Sequence, residues 1–163
     1  MIRKSLYVLS ALWAFNGCIY TFGAGLPKGY DRVFFAVPKN STGYPLVQDV
    51  SVAYGLQILR EDGRLKLTDS ASANLLLCTE FTSYSKAPDR YDNSGKVITY
   101  RLNLSGKVRF VVKGSGEDFV PPASFTGTTL WSPDAEGEEA ALKRAMADFY
   151  SQALRYLFSR VEW

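Results

Sequence analysis

The sequence predicts an α+β domain: two helices packed on one face of a four- to five-stranded mixed, mostly antiparallel sheet, behind a leader that is cleaved away. Two patterns predict it. Residues 97–112 alternate strictly, with Ile98, Tyr100, Leu102, Leu104, Val108, Phe110 and Val112 on one parity. Thr99, Arg101, Asn103, Ser105, Lys107 and Arg109 fall on the other, so one face meets a core and the other meets water. Near the C-terminus, Leu142, Ala145, Met146, Phe149, Ala153, Leu154 and Leu157 keep helical spacing.

The elements follow in order. Met1 to Lys4 give a positive start, an apolar run from Leu6 to Phe15 follows, and Asn16-Gly17-Cys18 closes the segment. This is the layout of a secretory signal, and its apolar run is far short of the roughly 20 residues that cross a bilayer. A cysteine directly after the cleavage point is similar to a bacterial lipobox. Cleavage then falls between Gly17 and Cys18, and Cys18 receives the lipid. Phe15 and Asn16 depart from the usual Leu and Ala or Ser; Gly17 fits. Residues 1–17 therefore read as a lipoprotein-type signal peptide and residues 18–30, rich in Gly and aromatics, as a lipidated tether. Residues 31–163 read as one domain.

Within that domain, Val33-Phe34-Phe35-Ala36-Val37 is a short apolar run stopped by Pro38, the signature of a strand covered on both faces. A turn-rich stretch, residues 40–45, leads into a helix over 46–61. Its stripe is Val52, Leu56 and Leu59, and Asp62-Gly63 is its stop. Short and long strands are expected over 64–68 and 74–85. Residues 87–96, with Pro88 and Asp92-Asn93-Ser94-Gly95, read as a protruding hairpin connection. Strand 97–112 needs a bend or bulge at Gly106 to accommodate its length. A last strand is expected over 125–131, and Ser132-Pro133 reads as the start of the closing helix, a hydroxyl cap followed by proline.

Composition narrows the function. With 47% hydrophobic and 14% aromatic residues the chain can build a core. Arg3 and Lys4 leave with the leader, taking 19 basic residues to 17 against 16 acidic ones. A near-neutral chain without a basic arm gives nucleic-acid binding no electrostatic support. Histidine is absent, which removes the commonest general base and metal ligand. No enzyme activity, cofactor or metal is expected. Cys78, inside Leu75-Leu76-Leu77, reads as a small buried hydrophobe.

Several stretches resemble the LPS-assembly lipoprotein family, LptE: Gly17-Cys18-Ile19-Tyr20-Thr21-Phe22, Gly25-Leu26-Pro27-Lys28-Gly29, and Glu61-Asp62-Gly63-Arg64-Leu65-Lys66-Leu67. The hairpin adds Tyr84, Pro88, Tyr91-Asp92, Gly95-Lys96-Val97 and Tyr100-Arg101-Leu102. Ile19 stands where that family usually has glycine. The resemblance implies an outer-membrane lipoprotein facing the periplasm, plugging the lumen of the LptD β-barrel translocon and helping to place lipopolysaccharide in the outer leaflet. Phosphates of that lipid favour Arg and Lys. Among Arg90, Lys96, Arg101, Lys107 and Arg109, the protruding Arg90 and Lys96 are the candidates for touching it, against the plainer reading of a solvated sheet face. The alternative function is a generic periplasm-facing lipoprotein that scaffolds an envelope complex or binds a small ligand.

Overall fold

A computed structural model of the chain describes residues 26–161. The leader, Gly17, Cys18 and most of the tether lie outside the described residues. Within them the order is β1 (Arg32–Phe35), β2 (Lys39–Asn40), α1 (Pro45–Asp62), β3 (Lys66–Leu67), β4 (Leu75–Tyr91), β5 (Val97–Val112), β6 (Ala123–Trp131) and α2 (Glu138–Arg160). The strands form one six-stranded sheet, β3-β1-β4-β5-β6, with β2 joining β4 off that path. β1 pairs with β3 and β4, and β2 with β4, in parallel. The β4–β5 and β5–β6 pairs are antiparallel. The α+β class is as expected; β2 adds a two-residue strand where the turn-rich stretch begins.

The alternation along β5 sets the layers. Leu102, Leu104, Val108 and Phe110 are buried under the helices, while Arg101, Lys107 and Arg109 are exposed on the other face. Each of those large apolar side chains contributes about 1.5–3 kcal/mol by leaving water. The expected bulge exists, but the extra residue is on the partner strand: the β4 register slips between Phe81 and Ser83, opposite Gly106 and Ser105. Gly106 is needed there because a Cβ would come 2.7 Å from the Glu80 carbonyl oxygen and 3.2 Å from Phe149 Cζ.

α1 ends at Gly63, whose φ of 74° gives the left-handed cap that Asp62-Gly63 suggests. Its buried side differs from the expected stripe. Val47, Val50, Ser51, Gly55, Ile58 and Leu59 face inward, whereas Val52 is 56% exposed. Gly55 decides the face: a Cβ there would lie 2.8 Å from the Phe35 ring, which packs edge-on against Tyr150.

α2 starts later than Ser132-Pro133 suggests. The Ser132 carbonyl accepts hydrogen bonds from Ala135 and Glu136, making a turn that precedes the helix, and Gly137 is the N-cap. The Trp131 indole N–H donates to the Glu136 carbonyl at 3.0 Å and holds that turn in place. Phe149 and Tyr150 then meet Phe81 and Phe35 in the core. The Tyr150 hydroxyl, fully buried, reaches Thr79 Oγ1 at 3.4 Å.

β6 would be an open edge, but α2 runs along it. Arg144 donates to the Leu130 carbonyl at 3.0 Å. The Thr128 amide donates to Asp148 Oδ2 at 3.0 Å, and Gln152 donates to the Thr126 carbonyl at 2.8 Å. Four helical residues rise about 6 Å and two strand residues about 6.6 Å, so positions spaced by four on α2 match positions spaced by two on β6. Three of the backbone groups that would otherwise recruit another strand are thereby occupied.

Candidate functional site

The β4–β5 hairpin carries the candidate cations. β4 does not end near Ser85 but continues to Tyr91, with Pro88 opposite Tyr100, Arg90 opposite Thr99 and Tyr91 opposite Val97. Half of the expected connection over 87–96, from Ala87 to Tyr91, is therefore strand, and Arg90 stands on β4, not in a loop. Proline is tolerated because no strand among the described residues pairs with β4 on its other side there. Register slips at Pro88/Arg90 and Arg90/Tyr91 twist this end.

The turn itself is built by Asp92. Its Oδ1 accepts hydrogen bonds from the Ser94 amide (2.8 Å), the Ser94 hydroxyl (2.7 Å) and the Lys96 amide (2.9 Å). Gly95 supplies the left-handed residue at φ 82°. The bond from Ser94, followed by the Lys96 amide, holds the Asp92 carboxyl below its ordinary pKa. Lys96 sits in this turn as expected, its Nζ 3.7 Å from Asp134, with both side chains more than half exposed. Arg90 is exposed and has no ion pair or hydrogen bond among the described residues. The structure places both cations at one end of the hairpin without a contact between them.

A second group, which sequence reasoning missed, fixes the hairpin to the start of α2. The Tyr84 hydroxyl donates to Glu138 at 2.6 Å, and Lys86 donates to the other carboxylate oxygen at 3.0 Å. Lys86 Nζ also lies over the Trp131 ring at 4.8 Å and the Tyr100 ring at 6.0 Å. Burial opposes the charge on Glu138, but the bonds from Tyr84 and Lys86 outweigh it and hold the carboxyl below its ordinary pKa. Burial, then the bond to Glu138, pushes the Tyr84 phenol far up. Nothing local in the sequence signals this group, because its partners lie up to 54 residues apart.

The face opposite the helices is polar and self-bonded across three strands. Ser85, Asn103 and Thr128 form one rung, and Ser105 meets Thr126 at 2.8 Å in the next. Arg101 pairs with Asp89 at 2.6 Å and Arg109 with Asp118 at 2.9 Å; Lys107 has no such partner among the described residues. Cys78 is half-buried on this face, not within the core. Burial raises its thiol pKa, partly offset by Arg109, so it is mostly in the slower-reacting thiol form at neutral pH. Among the described residues no group of three His, Cys, Asp or Glu side chains could hold a metal. None of their helices is long and apolar enough to cross a membrane.

These features define a class: an α+β domain whose core is sealed on one sheet face, whose other face is polar, and whose long hairpin projects exposed cations. The chain belongs to the family described as LptE, lipopolysaccharide-assembly, whose model matches residues 31–160. It is thereby a member of a family that acts in lipopolysaccharide assembly. No curated protein matches the chain by sequence. Solved structures share the fold at low identity. A putative lipoprotein from Caulobacter crescentus CB15 is 12% identical, covering 82% of this chain and 92% of its own, with a TM-score of 0.51. The hypothetical protein CT253 from Chlamydia trachomatis is 9% identical, covering 80% and 96%, with a TM-score of 0.52.

Proposed function

We propose that the chain is an outer-membrane lipoprotein, anchored through Cys18 after cleavage behind Gly17, whose domain plugs and supports an LptD-type β-barrel and assists lipopolysaccharide assembly in the outer leaflet. The observation that carries this reading is the family match across residues 31–160. Geometry supports it. A barrel lumen is polar and wet, and the hydroxyl- and amide-bearing sheet face suits such surroundings. In the proposed division, residues 1–17 are the signal, 18–30 the tether and 31–163 the domain that faces the periplasm and the lumen. Two acyl anchors hold stably where one is marginal, and tethering raises the domain's effective concentration at the barrel. Arg90 and Lys96 then meet the lipid phosphates, Arg90 with its guanidinium free and Lys96 by releasing Asp134.

Gentle detergent extraction followed by identification of what co-purifies tests the plug. A stoichiometric, heat-modifiable β-barrel is expected, and its absence refutes that role. Mass spectrometry of the mature N-terminus is expected to find acyl groups on Cys18. An Arg90→Ala, Lys96→Ala double variant is expected to lose about a hundredfold or more in lipopolysaccharide affinity, since hydrogen bonds to charged groups contribute about 1.5–3 kcal/mol each; unchanged binding would remove both residues from the site.

A further inference from the structure

The outer sheet face carries a groove of about 320 Å³ between the β1–β2 connection and Pro122. Its apolar lining is Ala36, Val37, Cys78 and Pro122. Val37 is 75% exposed, more than any other large hydrophobic residue among those described. Its cations are Lys39 on one wall and Lys107 and Arg109 on the other. Cys78 pairs in register with Arg109 and Glu80 with Lys107, which puts all four side chains on one face.

Charge decides what such a groove attracts. Glu80 is occupied, accepting from Lys39 Nζ at 2.9 Å and the Ser41 hydroxyl at 2.8 Å. Arg109 uses only its Nε on Asp118, so its terminal N–H groups remain available. Lys107 stands opposite Glu80 but makes no ion pair or side-chain hydrogen bond among the described residues, so its ammonium donors are free. The groove thus combines an open apolar floor with a net positive rim holding spare donors. A volume near 300 Å³ sits at the small end of ligand sites. It is too small for a folded partner and large enough for a headgroup with the first carbons of a chain.

We propose that this groove is a second binding site, taking the phosphate-bearing head and adjoining apolar part of a single anionic lipid. Phosphate oxygens accept from Lys107, Arg109 and the free donors of Lys39, while the apolar part covers Val37, Cys78 and Pro122. The site is distinct from the hairpin tip: Lys107 lies eight β5 residues from Thr99, the partner of Arg90, or roughly 26 Å along the strand. It stands on its own geometry and needs no barrel.

Cys78 makes the groove its own reporter. The full chain, held in phosphatidylcholine nanodiscs, is treated with a maleimide, and modification of the Cys78 peptide is timed by mass spectrometry. Dihexanoyl phosphatidic acid, added below its micelle concentration, is expected to slow that modification about tenfold. Lys107→Glu, an exposed change that breaks no bond, is expected to weaken the protection about tenfold, as loss and reversal of a charge-assisted contact implies. Val37→Asp is expected to do likewise. Arg90→Ala with Lys96→Ala is expected to leave protection intact, which separates this site from the one at the tip. Absence of protection overturns the proposal, as does protection that survives Lys107→Glu. Equal protection by inorganic phosphate alone would mean a free-anion site, and protection only by an acidic peptide would mean a protein partner; either overturns the lipid assignment.

Discussion

Gly127 is where the smallest change should do the most damage. A Cβ on this β6 residue would fall 1.9 Å from the Ala145 carbonyl oxygen and 2.7 Å from the Phe149 amide nitrogen. Both atoms are α2 backbone, so no side-chain rotation relieves the overlap and the helix must lift off the strand. Overpacking alone costs about 1–3 kcal/mol. Lifting also stretches the bonds from Arg144, Asp148 and Gln152 to the β6 backbone, each contributing about 0.5–1.5 kcal/mol. Gly127→Ala should therefore lose about 3–5 kcal/mol, or roughly 10–15 °C in Tm for a chain of this size. Urea titration followed by circular dichroism measures it, with the slope m unchanged if the unfolded state is unaffected. Two other glycines calibrate the reasoning. Gly106→Ala meets the Glu80 and Phe81 backbone less closely and should cost less. Gly55→Ala crowds the Phe35 side chain but no backbone, touches the Tyr150 hydroxyl at ordinary contact distance, and recovers up to about 1 kcal/mol of helix propensity, so it should be the mildest. A Gly127→Ala protein within about 0.5 kcal/mol of the parent, inside the range of neutral surface changes, would refute the close approach.

Asp148→Ala leaves the Thr128 amide without its acceptor and should cost about 1–3 kcal/mol in the same titration; combined with Arg144→Ala it should expose the β6 edge and give concentration-dependent association by light scattering. The Glu138 carboxyl is held below its unfolded value, so its contribution is complete above about pH 5 and is lost as pH falls through the lowered folded pKa; Glu138→Gln should flatten that acid limb in pH-dependent melts, and Tyr84→Phe should cost about 1 kcal/mol. Asp92→Ala should speed hydrogen exchange at the Ser94 and Lys96 amides without affecting core amides. The same acceleration should appear in the parent protein as pH falls below the depressed Asp92 pKa, after correction for intrinsic exchange.

Where the sequence was legible, one periodicity dominated its segment. β5 alternates cleanly over its middle, from Arg101 to Phe110, and α2 places nine buried residues on one stripe, so tertiary contacts merely agreed with the pattern. α1 was harder because Val47, Val50, Val52, Leu56, Ile58 and Leu59 give it apolar residues on more than one side. The buried side was chosen by Gly55, which admits the Phe35 ring, a contact 20 residues away in sequence. The end of β4 was hidden by Ala87, Pro88 and Asp89, poor strand formers that an unpaired edge tolerates. Ser132-Pro133 reads as a helix start, but the bond from Trp131 to Glu136 closes a turn first. The candidate site was half legible for the same reason. Lys96 belongs to a turn written in Asp92-Asn93-Ser94-Gly95, whereas Arg90 and the Tyr84–Lys86–Glu138 group depend on pairings that composition does not encode.

The treatment of the two sheet edges bears on how this domain meets a partner. Along β6, three side chains of α2 occupy three of the outward backbone groups. Along the upper part of β4 no strand among the described residues does so, yet Lys86, Pro88, Arg90 and two register slips interrupt the edge, and each of these devices discourages strand addition. A domain surrounded by barrel strands is exposed to unusually many opportunities for unwanted pairing, although a closed barrel offers edges only while it is assembling. In the proposed complex, these interrupted edges leave the polar face and the hairpin end for recognition. This makes a specific demand on the proposed plug: weakening the β6 seal with Asp148→Ala should harm the complex chiefly during barrel assembly, lowering the yield of mature barrel, while complexes already formed should resist dissociation as the parent does. Equal loss in assembly and in retention would point instead to Asp148 acting in a direct contact with the barrel.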